Sequence, residues 1–211
     1  MSTTVDFYYD PCCPFCWVTS RWLVRVQEDR DITVTWRPFS LAIKNDELGN
    51  GTADHNGRGH IAGHRVLRVI AAAEKNGADA GELYTAFGRA YHTQNSNMDD
   101  TLIATVLKDH GLDASFADAA DDDSWDAHLE AEQQAALDAV GNDVGVPIVL
   151  FTKDGAEPQG YFGPVINALP SREEGLDLWD GLEKLAPVPS FYELKRTRPK
   201  GGPDTTGTDA I

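Results

Sequence analysis

Cysteine is almost missing from this chain: there are three, all inside five positions, in the stretch CCPFC at residues 12 to 16. A chain of 211 residues can bury a sizeable core without covalent help, so a disulfide staple is not needed for stability. No run approaches the eighteen apolar residues of a membrane span. The start MSTTVDFYYD also has neither the basic residues nor the apolar run of a secretory leader. Cations are scarce as well. Eighteen Lys and Arg stand against 34 Asp and Glu, and the net charge of -16 repels nucleic-acid phosphates and anionic lipid headgroups. The expectation is a soluble, cytoplasmic protein with no nucleic-acid or membrane partner. In that compartment thiols stay reduced, and a close cysteine pair is catalytic, redox-active or metal-binding rather than structural.

What is present begins with VDFYYDPCCPFCWVTSRWL, residues 5 to 23. Residues 4 to 9 are β-branched and aromatic and end at Asp10-Pro11, which reads as a strand and a turn. From Cys16 onward, Trp17, Val18, Trp22, Leu23 and Val26 recur at helical spacing. ITVTWRPFSL then reads as a second strand that stops near Pro38, completing a β-α-β unit with Cys-x-x-Cys at its first turn. For the next ninety or so residues the pattern is helical: HRVLRVIAAAEKNG, GELYTAFGRAYHTQ, DDTLIATVLKDHG, ASFADAADD and SWDAHLEAEQQAALDAVG. Strand character returns at VPIVLF and GYFGPV, and a last helix covers roughly Ser171 to Leu185. The tail PKGGPDTTGTDAI is small and polar, and is expected to be disordered.

The cysteine turn has a chemistry of its own. The thiolate is the attacking species, and a free cysteine is only a few per cent ionised at pH 7. Cys13 at a helix N-terminus faces unpaired backbone N–H groups and the positive end of the helix dipole, which favours its charged form. Cys13 is therefore the expected nucleophile. Cys16, one turn inward, is placed to attack a mixed disulfide and release product. Pro14 fixes the backbone between them, and Phe15 offers a flat apolar face beside the sulfur. Competing readings are weaker. Zinc needs about four ligands, and Cys13 and Cys16 would have to borrow two of His55, His60 and His64, so no metal is expected. His92, in RAYHTQN, reads as a capping or solvated residue at a helix end.

A β-α-β start, a helical block, and a hairpin with a final helix describe an α/β thioredoxin fold interrupted by an all-helical insertion. Residues 1–44 and 140–198 would form the thioredoxin-fold part, 45–139 the insertion, and 199–211 the tail. CCPFCW, GVP at 145–147, SLAIKND, YFGPV at 161–165 and FYELKRTR at 191–198 resemble the DsbA-like thioredoxin family, and within it the mycothiol-dependent nitroreductases of actinobacteria. The resemblance runs to about Arg198. It implies a cis bond at Val146-Pro147, with that strand facing Cys13 and docking a thiol substrate. It also implies mycothiol as a low-molecular-weight reductant, no permanently bound cofactor, and a small electron-poor acceptor; it leaves room for a homodimer. Pro14, Phe15, Trp17, Asn45, Val146 and Pro147 are the expected substrate-binding residues, under a lid made by the insertion. Cys12 stands where the family pattern has an apolar residue, and the resemblance supplies no role for it. Two alternatives stay open: a DsbA-like oxidase or folding assistant for protein thiols, and a relative of the glutathione-dependent isomerases.

Overall fold

The computed structural model describes residues 3–48, 58–153 and 155–211. Four strands form one sheet in the order β2-β1-β3-β4, where β1 is Thr3–Tyr9, β2 Ile32–Pro38, β3 Ile148–Lys153 and β4 Gln159–Phe162. β1 runs parallel to β2 across the helix α1, Pro14–Gln27, as a β-α-β crossover requires. β1 pairs antiparallel with β3 and β3 with β4, so the strands on either side of the long helical block close into one sheet. The register sets Tyr8 opposite Ile148 and thereby brings Pro147 to the level where β1 ends and the cysteine turn begins.

The helical block follows the short helix α2, Leu41–Lys44, and contains α3, Gly59–Lys75; α4, Ala80–His92; α5, Asp100–Asp109; and α6, Asp126–Val140. Asp79 and Asp99 cap α4 and α5 by accepting from the N–H groups of Glu82 and Leu102. Gly141, at a φ of 98°, closes α6. ASFADAADD departs from its expected α-helical form. Asp113 and Asp122 accept from the N–H groups two residues on, Ser115 and Ser124, and these tight turns leave Ala114–Asp121 and Asp123–Trp125 as 3-10 turns. The last helix, α7, Arg172–Leu185, opens with a capping box between Ser171 and Glu174 and packs on α1, where Trp22 Nε1 donates to the Gly175 carbonyl at 2.9 Å. No described helix is long and apolar enough to cross a membrane.

The helical block touches the cysteine turn and α1 through two glycines. A Cβ on Gly63 of α3 would fall 2.5 Å from Asp10 Oδ1 and 3.3 Å from Cys12 Sγ, and one on Gly88 of α4 would fall 2.5 Å from Trp17. Only a bare backbone allows approaches this close.

The tail corrects the expectation of disorder. Thr208 is fully buried and its hydroxyl accepts from Trp17 Nε1 at 2.8 Å. Asp204 N–H donates to the Asn167 carbonyl, and a main-chain oxygen of Ile211 accepts from both Arg21 and Arg89 at 3.1 Å. A segment with too few apolar residues to bury itself is held here by polar groups that other elements present.

Candidate active site

The site is assembled from the end of β1. Asp10 is fully buried, and its two carboxylate oxygens accept from the N–H of Cys12 at 2.9 Å and of Leu41 at 2.7 Å, tying the cysteine turn to the start of α2. Its backbone carbonyl takes the Cys13 N–H at 3.0 Å. Cys13 thus becomes the N-cap of α1, with Pro14 at the first helical position, where its missing N–H costs no hydrogen bond. The Cys13 sulfur faces the backbone N–H groups of Phe15 and Cys16 and the Cys16 thiol. The Cys16 thiol does most to lower its pKa, against desolvation and the Asp10 charge. Cys16 shifts the other way, well above the ordinary thiol range, because it is fully buried and stands beside Cys13. All three cysteines are unpaired thiols.

Facing Cys13 from the residues just before β3, the Val146-Pro147 bond is cis, and the Val146 carbonyl lies 3.8 Å from Cys13 Sγ. A second cis bond, Gly163-Pro164, ends β4 and was not foreseen. Phe15 is half-buried beside the dithiol, with the Arg198 guanidinium 5.3 Å from its ring centre.

The remaining expected residues are placed differently. Trp17 is corrected from pocket lining to core: it has no exposed surface, packs edge-on to Tyr84, and stacks on His92 at 5.7 Å. One position beyond Cys16, it turns into α4 rather than toward solvent. Asn45 is exposed at the end of α2, where its amide meets Glu47 and His60 at 3.2 Å. His92 is corrected as well. Its Nε2 meets the Pro11 carbonyl at 2.9 Å, and burial pushes its pKa down to about 4, so the neutral ring donates to the cysteine turn. His60 and His64 do not turn toward the cysteines. His60 contacts Glu47 at 2.8 Å, and the buried His64 lies between Ser40 and Asp126, 2.9 Å from each. His55 lies outside the described residues.

The Ser40–His64–Asp126 line has the composition of a hydrolytic triad but lacks its access. Ser40 is fully buried, and its hydroxyl also accepts the Ile43 N–H as the cap of α2. Its backbone N–H donates to Gln133 of α6. The line therefore pins α3 and α6 to the β2–α2 junction, next to Asp10.

Sequence reasoning missed Asp10 as the buried acceptor that organises the turn, having read it only as a turn former beside Pro11. It also passed over Arg21, although a cation four residues after Trp17 on an otherwise apolar helix face was a visible signal.

A parallel and antiparallel sheet, a dithiol at the first strand-to-helix turn and a cis-proline strand opposite it define a thioredoxin-fold dithiol protein with a DsbA-like helical insertion. Residues 12–196 match the Rv2466c-like family model, described as mycothiol-dependent nitroreductase Rv2466c, and the chain belongs to that family of oxidoreductases. An uncharacterized protein of Mycobacterium tuberculosis, Rv2286c, is 35% identical over 199 residues, covering 93% of this chain and 83% of the relative. Among solved structures, the cytosolic disulfide reductase DsbM from Pseudomonas aeruginosa superposes with a TM-score of 0.58 at 18% identity, over 87% of this chain and all of that one. Oxidoreductase DsbA from Xylella fastidiosa gives 0.53 at 18% identity, over 87% and 85%. At such identities the likeness is one of fold.

Proposed function

We propose that this oxidoreductase is a cytoplasmic dithiol enzyme in which Cys13 is the nucleophile and Cys16 the resolving thiol. The observation that carries the reading is the opposed pair of shifts, Cys13 lowered and Cys16 raised, beside the Val146 carbonyl. With a disulfide substrate, the Cys13 thiolate attacks one sulfur, the substrate S–S bond breaks, and the first thiolate leaves and takes a proton from water. Cys16 then loses its proton and attacks Cys13 Sγ, releasing the second thiolate. Two electrons have moved, and a Cys13–Cys16 disulfide remains. Two molecules of mycothiol restore the dithiol and leave as mycothiol disulfide. With a nitro compound, the two electrons and two protons of the dithiol take the nitro group to nitroso and water.

Val146-Pro147, just before β3, supplies a carbonyl acceptor beside the sulfur, and Phe15 with Pro14 supplies an apolar rim. Asn45 is retained as a polar contact for a ligand reaching over α2. In this reading the helical block, fastened to the β2–α2 junction by the Ser40–His64–Asp126 line, acts as the lid over the cysteine turn.

The test compares turnover of mycothiol plus a nitroaromatic acceptor with oxidation of a reduced, unfolded protein by the disulfide form. Small-molecule turnover that exceeds protein oxidation supports the reading. Efficient protein oxidation with no small-thiol turnover replaces it with the folding-assistance alternative.

A further inference from the structure

Positive charge is scarce in this chain, and a concentrated share of it lies in one exposed strip. Residues 191–203 carry Lys195, Arg196, Arg198 and Lys200 against a single acid, Glu193, in a protein whose net charge is -16. The strip forms no helix or strand, yet it is fastened on both sides. Before it, the Phe191 N–H donates to the Val188 carbonyl at 3.0 Å, and the Phe191 ring packs edge-on to Tyr161 at 5.5 Å. After it, the Asp204 N–H donates to the Asn167 carbonyl at 2.7 Å. The chain between these anchors does little to bury itself, with Tyr192 83% and Leu194 81% exposed. It does bring one side chain to the dithiol. The Arg198 guanidinium stands 5.3 Å from the centre of the Phe15 ring, and Phe15 lies between Cys13 and Cys16 in the motif.

Among the described residues Arg198 makes no hydrogen bond or ion pair, and the Phe15 ring is its one partner. Attraction to an aromatic face is electrostatic and leaves guanidinium N–H donors for another group. The Cys13 thiolate does not depend on this cation. Its pKa is lowered first by the Cys16 thiol and then by the N–H groups of Cys16 and Phe15. The place where Arg198 acts is therefore on what comes to the sulfur. A strongly acidic protein repels anions from most of its surface, and a cation at the mouth of the site opens one direction of approach. The planar donor fork of arginine matches a carboxylate with two parallel bonds.

Resting on the dithiol chemistry proposed above, we propose that Arg198 is a specificity-determining residue that selects aromatic disulfides and electron-poor aromatic acceptors carrying a carboxylate. The aromatic ring lies beside Phe15 and Pro14, and its carboxylate pairs with Arg198. With such a disulfide, the Cys13 thiolate forms a bond to one sulfur, the S–S bond breaks, and one arylthiolate leaves. Cys16 gives its proton to water, attacks Cys13 Sγ and releases the second arylthiolate. The dithiol is oxidised to the Cys13–Cys16 disulfide by the two electrons that reduce the substrate.

The experiment follows single-turnover oxidation of the full-length reduced protein by stopped flow, at neutral pH and constant ionic strength. Two aromatic disulfides are compared: dithiobis(nitrobenzoate), with a carboxylate on each ring, and the uncharged dithiodipyridine. The readout is the ratio of their second-order rate constants, which cancels any change common to both. Arg198→Gln should lower the ratio about threefold or more, the size expected for an exposed ion pair. Arg198→Glu should lower it further, to about a tenth, because attraction becomes repulsion. Lys195→Gln removes the same charge from the strip without touching the Phe15 contact, and its ratio should stay within about 1.5-fold of wild type. The proposal alone falls if dithiodipyridine is reduced through Cys13 and the ratio in Arg198→Gln matches wild type. It falls equally if Lys195→Gln lowers the ratio as much as Arg198→Gln, since the whole strip and not one residue would then act. If Cys13→Ser reduces dithiodipyridine as fast as wild type, the dithiol reading fails and takes this proposal with it.

Discussion

Cys12 and Cys13 are neighbours with the same exposure, 8% each, yet the two halves of the cysteine cluster are driven in opposite directions. The loop half, Asp10 to Cys12, is sealed by Gly63 of α3. Burial, and after it the Asp10 carboxylate that its thiol bonds, push the Cys12 pKa far above the ordinary range. The helix half, Cys13 to Cys16, is buried as deeply, but the Cys13 sulfur meets a thiol donor and two backbone N–H groups, and its pKa falls. Depth alone therefore does not set thiol chemistry in this protein. What decides it is whether hydrogen-bond donors at the sulfur outweigh the cost of burial, as they do for Cys13 and not for Cys12.

The largest effect expected from this contrast is in the helix half. Cys13→Ser should lower turnover by about 10³-fold or more and abolish fast alkylation below neutral pH, because the only ionisable sulfur with donors around it is gone. Fast low-pH alkylation that survives in this variant would move the nucleophile to another cysteine. Next in size is the carboxylate that organises the loop half. Asp10→Ala leaves the buried N–H groups of Cys12 and Leu41 without acceptors and should cost about 2 to 5 kcal/mol in urea unfolding. A loss under about 1 kcal/mol would show that the turn finds other acceptors.

His92 sharpens the comparison through pH. Its folded pKa, about 4, lies below the ordinary value of 6.5, so the unfolded chain takes up the proton first. The stability it contributes is complete above about 6.5 and is lost as pH falls toward about 4. His92→Phe keeps a ring over Trp17 and removes the titration. The stability gap between wild type and variant should shrink by about 2 kcal/mol from pH 7 to pH 4, a figure reduced for partial exposure. A gap that is flat across this range would place the protonated ring in solvent. The smallest effect belongs to Cys12. Cys12→Ala should leave turnover within about twofold, since a thiol held protonated by burial and then by Asp10 is inert. Turnover below a tenth of wild type would give Cys12 a part in the chemistry.

The chain's periodicity made most elements legible. The β-branched and aromatic run at residues 4 to 9, the alternation in ITVTWRPFSL, the apolar run VPIVLF, and helical spacing between them were enough to anticipate a split sheet around a helical block. ASFADAADD was misread because Asp113 and Asp122, which close tight turns at its two ends, look in sequence like helix caps. The dithiol was legible too, since Cys-x-x-Cys at a strand-to-helix turn carries its own chemistry. Trp17 and His92 were misread for one shared reason. Whether a ring next to the motif faces solvent or core depends on where α4 lies, and no local pattern records that.

Local sequence by itself determined that Cys13 caps a helix, because Pro14 can start one and the apolar residues after Cys16 recur every three or four positions. It also determined the acidic surface and the positions of most strands and helices, which rest on contacts within a few residues. Only the tertiary structure decided the environments. It brought the Asp10 carboxylate to Leu41, set the Val146 carbonyl at 3.8 Å from a sulfur 133 residues earlier, and folded a polar tail onto Arg21 and Arg89. Desolvation and hydrogen bonding act over a few ångströms of space. The residues that supply them here are separated by up to 190 positions of chain, a distance that only the packing of the sheet against the helical block can close.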